Sequence, residues 1–451
     1  MIKKKLETIV GKRNVLGDEA SLDGYSKDLS LSQPRRPQLV VKPKNREEVE
    51  KVVKLANKQM VPVIPVSSGV HFHGETIPEQ GGIVVDVGRM DKVIQVDERN
   101  RKVKIEPGVT WGKLQEALKK HNQIALNPLF PHPKMSALTS SLERNPMLIP
   151  KYEYAEPVLT MEVVWIDFFR LFQGAQGTLG IVTWLNIKTE YRPKQQKVYF
   201  VPFKRIEDAV EPIYQMQRRH IGNECFLLNN FNLAQLLAED WPREFEELKE
   251  KLPPYTLTVV IAGAPRRPLE RIAYEEEAFQ EIASQLLFQP AATVAGVAGL
   301  QDIMLDKLRN PQEEESYWKT RYKGSSQDIF FIAPMNRAGE FHKKAVEICG
   351  EFSYPTSELG IYLQPVERGR ACHLEFSLPC DLDSESEKEK VGALYNRMSE
   401  EFINMGGFFS RPYGPWADMV YRRATTYTTT LKEVKKVFDP NHILNPGKLC
   451  Y

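Results

Sequence analysis

The spacing of apolar residues changes repeatedly along this chain, and each change marks an element. "QLVVKP" is a short β-branched run ended by Pro43, "NREEVEKVVKLANKQ" places Val49, Val52, Val53 and Leu55 at helical spacing, and "MVPVIPV" returns to strand character. Gln38 to Pro65 is therefore predicted as a strand–helix–strand unit, with Asn45 and the acidic residues behind it as the helix start. "GGIVVDVGRM", "KVIQVDERNRKVKIEPGV" and "GIVTWLNIKTEYRP" predict further strands, separated by turns and by the amphipathic helix "TWGKLQEALKKHN". A second unit opens at "QQKVYFVPF" and continues through the strands "YTLTVVIAGAP" and "GRACHLEFSLP". Helices are predicted at "IEDAVEPIYQMQRRH", "LERIAYEEEAFQEIASQLL" and "EKEKVGALYNRMSEEFINMG", which gives an antiparallel sheet carrying helices on one side. No internal repeat is present.

At 451 residues the chain exceeds what one core holds, so two or three packed units are expected. With 42% hydrophobic and 27% charged residues it has an ordinary globular composition. The net charge of +2 and the interleaving of basic with acidic residues argue against a nucleic-acid partner. No signal-peptide-like start and no run of membrane-spanning length stands out, so a cytoplasmic protein without a transmembrane segment is expected. The five cysteines include no C-x-x-C, so any iron–sulfur centre would belong to a partner.

One loop raises a question of chemistry. "PVIPVSSGVHFHGE", Pro62 to Glu75, gathers small residues beside two histidines. Small residues let backbone N–H groups approach a bulky anion, which suggests a phosphate-bearing ligand; a plain connection with incidental histidines is the alternative.

Four segments in order resemble one family, the flavoproteins of the vanillyl-alcohol oxidase and p-cresol methylhydroxylase (PCMH) type. They are "PQLVVKPKNREEVEKVVKLANKQMVPVIPVSSG", "GGIVVDVGRMDKVIQVDERNRKVKIEPGVTWGKLQEAL", "LFQGAQGTLGIVTWLNIKT" and "VFDPNHILNPGKLC". The resemblance implies an α+β protein: a PCMH-type FAD-binding domain of two α+β subdomains over 1–195, and a cap domain over 196–430 whose antiparallel sheet is flanked by helices. Residues 431–451 would return to the FAD domain. The implied cofactor is FAD, its pyrophosphate wrapped by Pro65, Val66, Ser67, Ser68, Gly69, Val70, His71 and Gly74. The same resemblance puts Pro107 and Gly108, then Leu138, Thr139, Ser140 and Asn145, then Gly177, Gly180, Ile181 and Val182, and finally Asn445 and Lys448 at the cofactor. Some relatives link FAD covalently through a histidine of this loop; here Val70 takes that position and His71 lies one residue beyond, which favours non-covalent FAD.

The chain departs from the family pattern in three places. Thr139 and Ser140 stand where glycines are usual, and the stretch from Asn145 to Gly174, including "VVWIDFFRLFQG", is short, which leaves part of the cofactor open or covered by another subunit. The H-x-G-D-G-N-x-H metal motif of the hydroxy-acid branch is absent, and no metal is assigned. Candidate catalytic residues are His373 and Glu375, which share a strand face, and Arg411 with Tyr413; Arg411 falls on the position of an anion-binding arginine, with Ser410 in place of its tyrosine partner. The implied activity is an FAD-dependent oxidoreductase, dehydrogenase or oxidase, that takes a hydride from a CH–OH or benzylic C–H group of a small, hydroxylated or aromatic, anionic substrate. Electrons would pass to O2, a quinone, or a cytochrome or iron–sulfur partner subunit within a homo- or hetero-oligomer. The alternative is a flavin-poor structural or electron-relay subunit of a larger redox complex.

Overall fold

The computed structural model describes residues 2–150, 158–163, 169–263, 265–294, 297–311 and 316–451, and among them three sheets carry the architecture. The first sheet holds β1 (Val15–Leu16), β2 (Leu39–Val41), β3 (Val63–Val66) and β4 (Ile83–Asp86) in the order β1-β2-β4-β3. The predicted strand–helix–strand unit is present, its helix Arg46–Lys58 capped by the Asn45 side chain, which accepts the Glu48 N–H at 3.0 Å. Its two strands do not pair with each other: β4 lies between them and runs parallel to both. Val40, Val41, Ile64, Ile83, Val84 and Val85 are all buried, as a parallel sheet covered on both faces requires. Along the outer edge of β3 the tail adds a bridge: Val63 donates to the Ile443 carbonyl at 2.7 Å and Asn445 donates to that of Val63 at 2.9 Å.

The second sheet is antiparallel and contains β5 (Val93–Asp97), β6 (Lys102–Ile105), β7 (Gln123–Ala125), β8 (Val158–Val163) and β9 (Val182–Tyr191). The long β9 is its spine, pairing with β6, β7 and β8. Of the shortened stretch expected to run from strand to helix, residues 164–168 lie outside the described residues.

The third sheet is the expected antiparallel one, in the order β10 (Gln196–Phe203), β12 (Tyr255–Ala262), β11 (Glu224–Asn229), β14 (Gly360–Val366), β15 (Ala371–Cys380) and β13 (Ser325–Ala333). One face is apolar across its whole width: Leu227, Leu257, Phe331, Leu363, Leu374 and Phe376 pack under helices Val210–Arg218, Pro268–Leu286, Ala338–Glu351 and Glu385–Asn404. Helices lie on the other face as well, but only over half of it. Val198, Phe200, Phe226 and Val260 are covered there by Asn230–Leu237, Arg243–Lys251 and Leu300–Arg309. The remaining half, on β14, β15 and β13, presents polar side chains towards the first two sheets. This uncovered half positions the site.

Candidate active site

Strand alternation decides which side chains of the third sheet reach the interior. Glu375 pairs across β15 with Phe330 of β13 and Tyr362 of β14, and His373 with Ile332 and Gln364, so these residues share one face. The Gln364 amide donates to the Met147 carbonyl, and the Arg411 guanidinium donates to the Asn145 side chain, tying this face to the segment after helix Ala137–Leu142.

Two cavities meet between the sheets. The first runs between the end of β3, helix Ala137–Leu142 and the 174–182 loop. Of the residues expected at the cofactor, Pro65, Val66, Ser67, His71, Pro107, Leu138, Thr139, Gly177, Gly180, Ile181 and Val182 line it. Ser140 and Asn145 line the second cavity instead. Ser68, Gly69, Val70, Gly74 and Gly108 are not on the cleft wall. A Cβ on Gly69 would meet nothing, whereas one on Gly108 would lie 2.2 Å from the Gly88 carbonyl oxygen, so Gly108 serves close backbone packing. Asn445 bridges the cleft's two sides, donating to the carbonyls of Glu75 at 3.0 Å and Gln176 at 2.7 Å. Lys448 pairs with Glu79 at 3.0 Å.

The cleft fits FAD on its own chemistry. Its wall is mostly apolar, and the buried Asn445 Oδ1, between the two sides of the cleft, has no partner. Thr139, at a position usually glycine, spans towards the loop and pairs its hydroxyl with that of Ser67. Gly177 has φ +72°, and a Cβ there would sit 2.4 Å from Pro65 Cγ. Gly177→Ala is therefore expected to cost about 1–3 kcal/mol and to lower the flavin-to-protein ratio; unfolding and flavin content equal to wild type would contradict this packing.

His71 is held by two acceptors, Glu75 Oε1 at 3.0 Å from Nδ1 and the Ser68 carbonyl at 2.5 Å from Nε2, so both ring nitrogens carry protons. Burial works against this charge, but the Glu75 hydrogen bond and carboxylate outweigh it and raise His71 to about 8. Burial also works against ionised Glu75, which His71 brings down to about 2. The stabilisation from His71 is complete below the ordinary histidine value of about 6.5 and is lost as pH rises through about 8. That from Glu75 is present above the ordinary carboxylate value of about 4.3 and is lost as pH falls through about 2. Raising the pH from about 6 to about 9 is thus expected to lower the melting temperature, and His71→Asn to flatten part of that decline; parallel wild-type and variant curves would refute the pairing.

The second, inner pocket contains three of the four candidate catalytic residues, Arg411, His373 and Glu375. Lys319 Nζ lies 2.5 Å from both Asp328 Oδ2 and Glu375 Oε1, and His373 Nε2 lies 3.4 Å from the other Glu375 oxygen. Burial opposes every charge here. It is overcome for Lys319 by Asp328 and Glu375, which raise it, and for Glu375 by Lys319 and His373, which hold it far below the usual carboxylate range. For His373 burial prevails and lowers it, leaving a neutral imidazole. Arg411 lies over the Phe330 ring at 3.8 Å, and its buried Nε has no partner. Tyr413 stacks on His73 with centroids 4.6 Å apart and lines a neighbouring outer mouth rather than the pocket.

Lys319, Asp328, Glu75 and Glu143 were not singled out by sequence reasoning. Asp328 had a signal: "SSQDIFFIA" alternates, placing Ser326, Asp328 and Phe330 on one face. Lys319 has no local signal, because its partners come from two strands.

The fold is the PCMH-type FAD-binding fold. A p-cresol methylhydroxylase with substrate bound superposes with a TM-score of 0.83 at 18% identity, covering 100% of this chain and 96% of that one. A 4-ethylphenol oxidase from Gulosibacter chungangensis gives 0.83 at 15% identity, covering 99% and 96%. Within that fold the chain belongs to the FAD-linked oxidases, whose C-terminal domain model matches residues 192–449, while an FAD binding domain model matches 37–135. It is thus a member of an FAD-linked oxidoreductase family. Its relatives include a D-lactate dehydrogenase of Anaerostipes hadrus, 24% identical over 99% of this chain and 97% of that protein. Glycolate oxidase subunit GlcD of Bacillus subtilis is 23% identical (99% and 96%), and D-2-hydroxyglutarate dehydrogenase of Stutzerimonas stutzeri 24% identical (99% and 98%). Among the described residues no helix is long and apolar enough to cross a membrane, and no three His, Cys, Asp or Glu residues converge as a metal site.

Proposed function

We propose that this chain oxidises the CH–OH group of a small 2-hydroxy acid bound in the inner pocket and delivers the electrons to an external acceptor or partner subunit. The observation that carries the reading is a buried Arg411 with an uncommitted Nε in the same pocket as a neutral His373. An arginine fork suits a flat carboxylate, and a neutral imidazole suits the hydroxyl proton. Bound FAD supplies the hydride acceptor. Arg411 holds the substrate carboxylate, His373 takes the hydroxyl proton, and Glu375, kept ionised by Lys319, steadies the imidazolium that results. Phe330, beneath Arg411, keeps water from the anion. The relatives named for D-lactate, glycolate and D-2-hydroxyglutarate support a hydroxy acid over a phenol.

Anaerobic mixing with a panel of 2-hydroxy acids, benzylic alcohols and 4-alkylphenols tests this directly. Bleaching of the flavin by hydroxy acids is the expected result, and bleaching by the phenols or benzylic alcohols alone would overturn it. The FAD is read as non-covalent, because both His71 nitrogens are engaged and Val70 has no nucleophile. Acid precipitation is expected to leave the flavin in the supernatant; a coloured pellet would contradict this.

A further inference from the structure

Glu143, immediately after helix Ala137–Leu142, is the one described residue that lines both the cofactor cleft and the inner pocket. It is only 8% exposed, and its N–H donates to the Thr139 carbonyl at 2.9 Å, which fixes where its side chain leaves the helix. The proposed chemistry gives it no task.

Its surroundings leave no cation for it alone. From the phosphate loop, Glu75 and His71 face it, already paired with each other. From the segment after helix Glu385–Asn404, Tyr413 shares a hydrogen bond with it, and Arg411, which acts to lower it, bonds Asn145 through one arm of its guanidinium. Across the inner pocket stand His73, neutral because burial lowers it to about 4, and the Lys319, Asp328, Glu375 and His373 group, whose one lysine already serves two carboxylates. Ionised, Glu143 would be a second negative charge near Glu75. Burial first and Glu75 next raise it to about 8.

We propose that Glu143 meets the bound cofactor as a neutral carboxylic acid and donates a hydrogen bond to the flavin at the junction of cleft and pocket. A donor there stabilises the reduced, more negative flavin over the oxidised form and raises the readiness of the flavin to accept electrons. The inference rests on bound FAD and not on the identity of the substrate, so it stands or falls separately from the hydroxy-acid reading.

The test uses the purified holoprotein and needs no turnover. Titrating the oxidised flavin from about pH 6 to about pH 10 is expected to give a single-step shift of its visible bands and a fall in midpoint potential as Glu143 ionises. Glu143→Gln keeps a donor but cannot ionise, so it is expected to lose the part of the shift and of the potential change that Glu143 causes. His71 titrates in the same range and remains in that variant, so the readout is the difference between the two titrations, and curves that superpose overturn the proposal. Should the variant bind no flavin, the reduced-minus-oxidised infrared difference spectrum of wild type decides. A shifted C=O band of a protonated carboxyl group supports the proposal, and its absence refutes it.

Discussion

Replacing Lys319 with methionine is expected to lower the unfolding free energy by about 3–5 kcal/mol, the range found when one partner of a buried ion pair is removed. The lysine is 8% exposed, and its ammonium is shared by Asp328 and Glu375, two strand residues that face the same pocket. Without it the two carboxylates confront each other in a dry interior, and one must take up a proton. The destabilisation should therefore shrink as pH falls, a signature that a simple packing defect lacks. Chemical unfolding of wild type and Lys319→Met at two pH values reads both effects, and equal midpoints at neutral pH would mean that the triad is not what holds this half of the sheet.

His373→Gln is expected to slow anaerobic flavin reduction by a hydroxy acid by about 10²–10⁴-fold, the usual range for a lost general base. Glutamine retains polarity and much of the volume, so the flavin content should match wild type. The pH profile separates chemistry from structure. The wild-type rate should fall below the pH at which His373 gains a proton, because burial lowers that point but does not abolish it. The variant profile should lack that limb. A reduction rate within a few-fold of wild type would remove His373 from the proton path and direct attention to Tyr413.

Local rules made part of this protein readable. Helix Arg46–Lys58 announces itself through Asn45 and the valines on one face, and of the small residues after β3 that stood out, Ser67 lines the cleft. His373 and Glu375 were found because alternation along β15 places them on one face. The missed parts share a physical cause. Strand β11 is buried on both faces from Glu224 to Asn229, so it shows no alternation to detect. Lys319 looks like any surface lysine until β13 and β15 bring Asp328 and Glu375 to it from 9 and 56 residues away. Glu143 follows Thr139 and Ser140 closely in the chain, but its burial comes from Glu75, His71 and Tyr413, which are distant in sequence. Burial of a charge is a tertiary property, and sequence displays it only when both partners are read together.

Asn445 fastens two carbonyls that lie 370 and 269 residues earlier in the chain. Both sides of the cleft are thus made long before the fastener, with the entire third sheet in between. A polypeptide emerging from a ribosome must fold or loop out that intervening mass before the clasp can shut, and such long-range closure is entropically slow. Uptake of the yellow chromophore should consequently trail the appearance of secondary structure during refolding, and its arrival would mark the last assembly step.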